Sequence, residues 1–176
     1  METWQRMFAQ KMAWEKPRDK WSLTPEDNLS PRNLEPGWQL YQQGKAFARF
    51  ECSGCSRRWP SAQVVLLFQM HLAQRQGRVK MRLFGQTCKK CWAARFEKPV
   101  FTQEAMERIL DNLVRKILQK CYRESLAKPK FSEPLVEEEV EGPHDTARCE
   151  ACALGVCSVK GSSARAPLAP ASLLLD

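Results

Sequence analysis

Seven of the eight cysteines in this chain, with one histidine, fall at spacings that metal coordination demands. Cys52/Cys55, Cys88/Cys91 and Cys149/Cys152 are Cys-x-x-Cys pairs, and His144 and Cys157 flank the last of them. A Cys-x-x-Cys turn is short enough to aim two sulfurs at one ion, and structural zinc takes four such ligands in a tetrahedron. Two pairs complete one site, and the 32 residues between Cys55 and Cys88 suit two β-hairpins meeting at one ion. The run His-x4-Cys-x2-Cys-x4-Cys has the ligand types and count for a second, so two Zn2+ ions per chain are expected.

Pairing is open at this level. His144, Cys149, Cys152 and Cys157 span 14 residues and can close around one ion. Alternatively, Cys149/Cys152 completes a cross-brace with Cys52/Cys55. Sequential closure is favoured because a short loop costs less entropy. Asp145 stands next to His144 and is expected to orient its imidazole. Trp59 and Trp92, each shortly after a knuckle, are expected to cover the metal, while Arg57, Arg58, Lys89 and Lys90 offset the charge of a four-thiolate centre. Cys121 belongs to a helical apolar stripe and reads as core. His71, on an apolar strand, reads as a satisfied interior or edge histidine.

Other uses of cysteine fit less well. Disulfides need an oxidising compartment, whereas the N-terminus METWQRMFAQKMAWEKPRDK is charged throughout and has no apolar h-region. A redox Cys-x-x-Cys would stand singly at a helix start. Catalysis finds no support either. Cysteine-rich ligand sets suit closed structural sites, and there is no His/Glu pair at helical spacing, P-loop or dinucleotide fingerprint. The expectation is a non-enzymatic binding protein.

The elements that must position these ligands are legible in outline. Trp4, Met7, Phe8, Met12 and Trp14 give residues 2–15 an amphipathic helical pattern that Pro17 ends. A proline-rich connector over 16–37 holds at most a short extended piece at Trp21–Leu23. Strands follow at Trp38–Gln42 and, after a Gly44 turn, Ala46–Glu51, with Phe47 and Phe50 as its large apolar members. Ala62–Leu72 is a strongly apolar strand, and Arg78–Leu83 alternates with period two. Gly85 breaks that strand before Cys88, and Trp92–Phe96 returns. One long helix over about 102–124 is capped by Thr102 and carries Met106, Ile109, Leu110, Leu113, Val114, Ile117 and Leu118 on one face.

The fold class expected is α+β: a zinc-ribbon-like antiparallel β domain clamped by its Cys-x-x-Cys sites, with an N-terminal amphipathic helix and one long helix. Its divisions are a helix at 1–16, a zinc-binding domain at 37–157 with an acidic loop at 129–142, and a disordered tail at 158–176. Zinc supplements a modest core, since a structural site contributes about 10 kcal/mol or more of apparent binding free energy.

Charge is uneven. Residues 1–128 hold 24 Lys and Arg against 12 Asp and Glu, and residues 129–176 hold 4 against 8. The formal net charge of +8 falls to about +5 once seven thiolates bind two zinc ions. Acidic surfaces, phospholipid head groups and RNA all remain eligible partners. No apolar stretch approaches the roughly 20 residues that span a bilayer, so no transmembrane segment is expected.

The segments PGWQLYQQ (36–43), FARFECSGCSRRWPSAQV (47–64), VKMRLFGQTCKKC (79–91), ERILDNLVRKILQKCY (107–122) and EGPHDTARCEACALGVC (141–157) resemble the receptor-transporting proteins, which carry a 3CxxC-type zinc finger. By position, Cys52, Cys55, Cys88, Cys91, His144, Cys149, Cys152 and Cys157 match that family's cysteine/histidine pattern. The resemblance implies a cytoplasmic zinc domain that associates with G-protein-coupled receptors of the odorant and bitter-taste type. It would promote their exit from the endoplasmic reticulum and display at the plasma membrane. Some relatives are also linked to antiviral defence, and an RNA-binding zinc finger is the alternative reading. Family members usually end in a hydrophobic anchor and this chain stops at Asp176 without one, so a shortened form, or attachment through receptor and basic face, is expected. Arg78, Lys80, Arg82 and the apolar N-terminal helix are the expected contact surface.

Overall fold

A computed structural model describes residues 1–92, 94–126 and 144–157. The acidic loop expected at 129–142 and the tail expected at 158–176 lie outside the described residues.

A four-stranded sheet organises the rest. Helix α1 (Glu2–Glu15) is followed by β1 (Lys20–Pro25), β2 (Gln39–Glu51), β3 (Arg58–Ala73) and β4 (Gln76–Leu83), in the spatial order β1-β4-β3-β2. Strands β2, β3 and β4 pair antiparallel, while β1 lies parallel to β4 from Lys20↔Gln76 to Pro25↔Met81. The short extended piece expected at Trp21–Leu23 is therefore a full edge strand, and the sheet is mixed rather than wholly antiparallel. Gly77 makes this possible, because a Cβ there would stand 2.0 Å from the Trp21 indole. The expected Gly44 turn is also corrected. β2 runs through it, with register shifts between Gln43 and Ala48 and Lys45 at a φ of 58°. Phe47 consequently points outward and only Phe50 is buried.

Burial on both faces explains the continuous apolar run of β3. Val64, Leu66, Phe68 and Met70 join a large core with α1 and the long helix α2 (Gln103–Lys120). Val65 and Leu67 face the other way, into a smaller cluster with Leu29, Phe84, Cys149 and Ala151. In α2, Thr102 accepts a hydrogen bond from the Ala105 N–H, and Ile109, Leu110, Leu113, Val114, Ile117 and Leu118 are buried. The helix ends at Lys120, short of the expected 124. Cys121 is its C-cap, half-buried against the core.

The apolar face of α1 is spent inside the molecule. Trp4, Met7, Phe8 and Met12 are buried, so the helix does not offer that face to a partner, and Trp14 points out into solvent. Among the described residues no helix is long and apolar enough to cross a membrane.

Candidate metal centres

Two turns bring the first four cysteines together. After β2 the chain closes a loop in which Ser56 N–H donates to Cys52 O at 2.8 Å and Cys52 N–H to Arg57 O at 2.9 Å. Ser56 takes a φ of 57° to close it. The second turn is carried by β5 (Gln86–Thr87) and β6 (Phe96–Glu97), an antiparallel pair shorter than the return strand expected over Trp92–Phe96. Glu97 ties the two turns, its carboxylate accepting from Ser53 N–H at 2.8 Å and Ser53 O–H at 2.7 Å. Those two bonds hold its pKa below the ordinary carboxylate range.

The resulting distances fit a metal. Cys52 Sγ lies 3.5 Å from Cys91 Sγ, and Cys55 Sγ lies 3.8 Å from Cys88 Sγ. All four sulfurs fall within 4.8 Å of one another. A tetrahedron with Zn–S bonds of about 2.3 Å has S···S edges of about 3.8 Å, whereas a disulfide needs about 2.05 Å. All eight cysteines are free. Cys88 is depressed to about 6, first by the Lys90 backbone N–H, whereas hydrogen bonds that its thiol donates to the Cys52 and Cys55 side chains push Cys91 up to about 12. Thiols at this separation cannot all ionise unaided. A divalent cation would replace the protons they share.

The second group is sequential. His144, Cys149, Cys152 and Cys157 have their ligand atoms within 4.8 Å of one another, with His144 Nε2 at 3.1 Å from Cys152 Sγ and 3.5 Å from Cys157 Sγ. Cys149 begins the short helix α3 (Glu150–Ala153), which points the chain back across the group. Burial raises Cys149 and Cys152 and lowers His144, with Asp145 opposing that last shift. All of these disfavour charge without a cation. The donor sets and spacings of both groups fit Zn2+.

Residues with no metal-ligand signature lock the second group to the sheet. The Glu150 carboxylate accepts from Arg82 Nη2 and from Gly85 N–H, both at 2.6 Å, and Glu150 N–H donates to Gly85 O at 3.1 Å. Gln86 and Cys149 form an isolated antiparallel bridge, and Arg148 Nη1 donates to Cys88 O at 3.0 Å. The two groups are thereby linked through the backbone of 85–88. Only the position of Glu150 between two cysteines hinted at this.

Several sequence expectations are corrected here. Trp92 is fully exposed, and Trp59 stacks on Phe50 and donates to Gln86 Oε1 at 3.0 Å rather than capping a metal. Asp145 pairs with Arg148 at 2.9 Å instead of orienting His144. The basic β4 residues already have partners within the chain. Arg82 holds Glu150, Lys80 pairs with Glu35 at 3.5 Å, and Lys80 and Arg78 flank the Trp38 ring. His71 stacks on Trp38 at 5.2 Å, and its Nδ1 is buried with no hydrogen-bond partner among the described residues.

Residues 45–155 match the family of 3CxxC zinc ribbons, described as a zinc-binding domain. Among curated proteins, the chain is 42% identical to Receptor-transporting protein 3 of Mus musculus over 97% of its own length and 37% of that protein's. It is 44% identical to Receptor-transporting protein 4 of Homo sapiens, over 88% of this chain and 63% of the relative. With Receptor-transporting protein 4 of Mus musculus it shares 41% identity, covering 97% and 70%. The chain thus spans between about a third and about two thirds of the length of the first two relatives. No solved structure matches it.

Proposed function

The chain belongs to the receptor-transporting protein family and carries its 3CxxC zinc-binding domain, and from that premise we propose that it is a non-enzymatic adaptor in the trafficking of membrane receptors. Cys52, Cys55, Cys88 and Cys91 hold one Zn2+ in this reading, and His144, Cys149, Cys152 and Cys157 a second. The zinc-binding domain covers 37–157, with the helix at 1–16 before it and a tail at 158–176 after it. The partners are G-protein-coupled receptors of the odorant and bitter-taste type, met on the cytoplasmic side of the endoplasmic reticulum or plasma membrane.

The observation that carries this reading is the closed character of both groups. Four ligands of tetrahedral spacing leave no open position for a substrate. Zinc here shapes a surface rather than performing chemistry. Co-expression with a panel of odorant and bitter-taste receptors tests it. Surface receptor signal should rise with the intact chain and fall back with Cys52→Ser. The competing reading, an RNA-binding zinc finger in antiviral defence, predicts instead tight RNA binding that weakens steeply with salt and unchanged display of every receptor.

A further inference from the structure

One end of the molecule, at the far end of β3 from the first cysteine turn, gathers cations that form no ion pair among the described residues. β3 begins at Arg58 beside that turn and ends at Ala73, about 50 Å of extended chain away. Three segments converge there. Lys20 N–H donates to Arg75 O at 2.9 Å, Trp21 Nε1 donates to the Tyr122 hydroxyl at 3.0 Å, and Lys16 pairs with Glu124. Arg18, Lys20, Arg75, Lys120 and Arg123 are all exposed, and no ion pair engages any of them among the described residues. Of the carboxylates at this end, Asp19 accepts from the Tyr122 hydroxyl and Glu124 from Lys16, while Glu15, beside Trp14, is exposed and leaves the balance of charge positive. Lys120 also complements the C-terminus of α2. Arg18 and Arg75, which line a cleft of about 280 Å3 with Lys16, have no such structural duty.

Trp14, 86% exposed, stands in the last turn of α1, four residues before Arg18 in the chain. It lines a groove of about 660 Å3 with Lys11, Glu15, Asp111, Arg115 and Leu126, where Lys11 and Asp111 pair with each other. An indole prefers the boundary between head groups and acyl chains, and basic side chains prefer the anionic head groups around it. A nucleic-acid strand would instead need successive aromatic platforms, and Trp14 has no aromatic neighbour among the ring pairs of the described residues.

We propose that this end docks peripherally on an anionic phospholipid bilayer, with Trp14 at the interface and Arg18, Lys20, Arg75, Lys120 and Arg123 facing the head groups. Such docking leaves the cysteine turns pointing away from the lipid. It goes beyond the receptor reading and is independent of it, since lipid alone is the partner.

Co-sedimentation of the zinc-loaded full chain with phosphatidylcholine vesicles, with and without phosphatidylserine, tests the proposal. Binding is expected only with the anionic lipid. Each cation neutralised (Arg18→Gln, then Arg75→Gln) should weaken it roughly fivefold, and Trp14→Ser several-fold. The charge-matched change Arg49→Gln with Arg95→Gln, at the other end, should leave it within about twofold. Should the Arg18/Arg75 variant lose zinc, Lys20→Gln with Arg123→Gln asks the same question. Equal losses from both ends would overturn the proposal in favour of undirected net charge. Absence of binding to anionic vesicles, with or without capture of a short RNA at the same salt, would overturn it outright. The vesicles contain no receptor, so neither result bears on receptor display.

Discussion

Arg82, in the middle of the sheet, and Glu150, between two metal-ligand cysteines, form an ion pair at 2.6 Å with side chains only 13% and 19% exposed. The guanidinium also donates to Leu29 O at 2.9 Å, and the carboxylate accepts the Gly85 N–H. A partly buried pair with every group satisfied couples residues 144–157 to β4. Glu150→Ala leaves the Arg82 charge half-served and Gly85 N–H without its acceptor. A loss of about 2–3 kcal/mol is expected, below the ~3–5 for breaking a fully buried pair. Thermal denaturation should register it, with zinc content falling toward one per chain as the second group loosens.

The two groups are separable in ligand set, so metal analysis should resolve them. Cys55→Ser should release one zinc and Cys157→Ser the other, while Cys121→Ser, the half-buried helix cap, should leave both. The larger core contains none of the eight ligands. Chelation is therefore expected to free residues 86–97 and 144–157 to hydrogen exchange while α1, β3 and α2 stay protected. A chelated protein whose α2 exchanges as fast as residues 144–157 would contradict this division.

Close approach dictates two glycines and spares a third. At Gly85 a Cβ would stand 2.7 Å from the Glu97 backbone oxygen, and at Gly77 2.0 Å from the Trp21 ring. Gly85→Ala and Gly77→Ala should each cost about 1–3 kcal/mol or more by overpacking. At Gly54 the nearest atoms are the Cys91 and Cys52 sulfurs at 3.6 and 3.7 Å, ordinary contact distances. Gly54→Ala should keep both its zinc and its melting temperature, which urea and metal titrations can check side by side.

Alkaline pH should loosen the fold. Burial pushes Tyr41 up to about 12, and burial with the hydrogen bond to Asp19 does the same for Tyr122. An unfolded tyrosine ionises near 10. Between about 10 and 12 the unfolded chain therefore holds fewer protons than the folded one, and stability falls as pH rises. It is fully present below pH 10. Tyr41→Phe should flatten part of that decline in denaturation midpoints. An unchanged slope would mean that the Tyr41 ring is not desolvated as the structure has it.

How far the sequence reached can be argued from particular residues. α1 was legible because Trp4, Met7, Phe8 and Met12 recur at helical spacing, and α2 because its apolar stripe follows a capping threonine. Trp14 follows that spacing less closely and lies outside, lining a groove shared with α2. The break assigned to Gly44 failed because a β-bulge absorbs the glycine within one strand. Arg78, Lys80 and Arg82 looked like free surface because alternation marks a solvent face, and it cannot reveal that Glu35, Trp38 and Glu150 wait there.

Ligand chemistry was set by the chain alone: thiols three apart and a histidine define what each turn can bind, because that geometry is local. Which turns meet was decided in three dimensions. The parallel return of β1, the Arg82–Glu150 clasp and the gathering of cations around Tyr122 join residues 56 to 108 positions apart. No local spacing records such encounters. They follow from burying both faces of β3, which obliges distant segments to close over it.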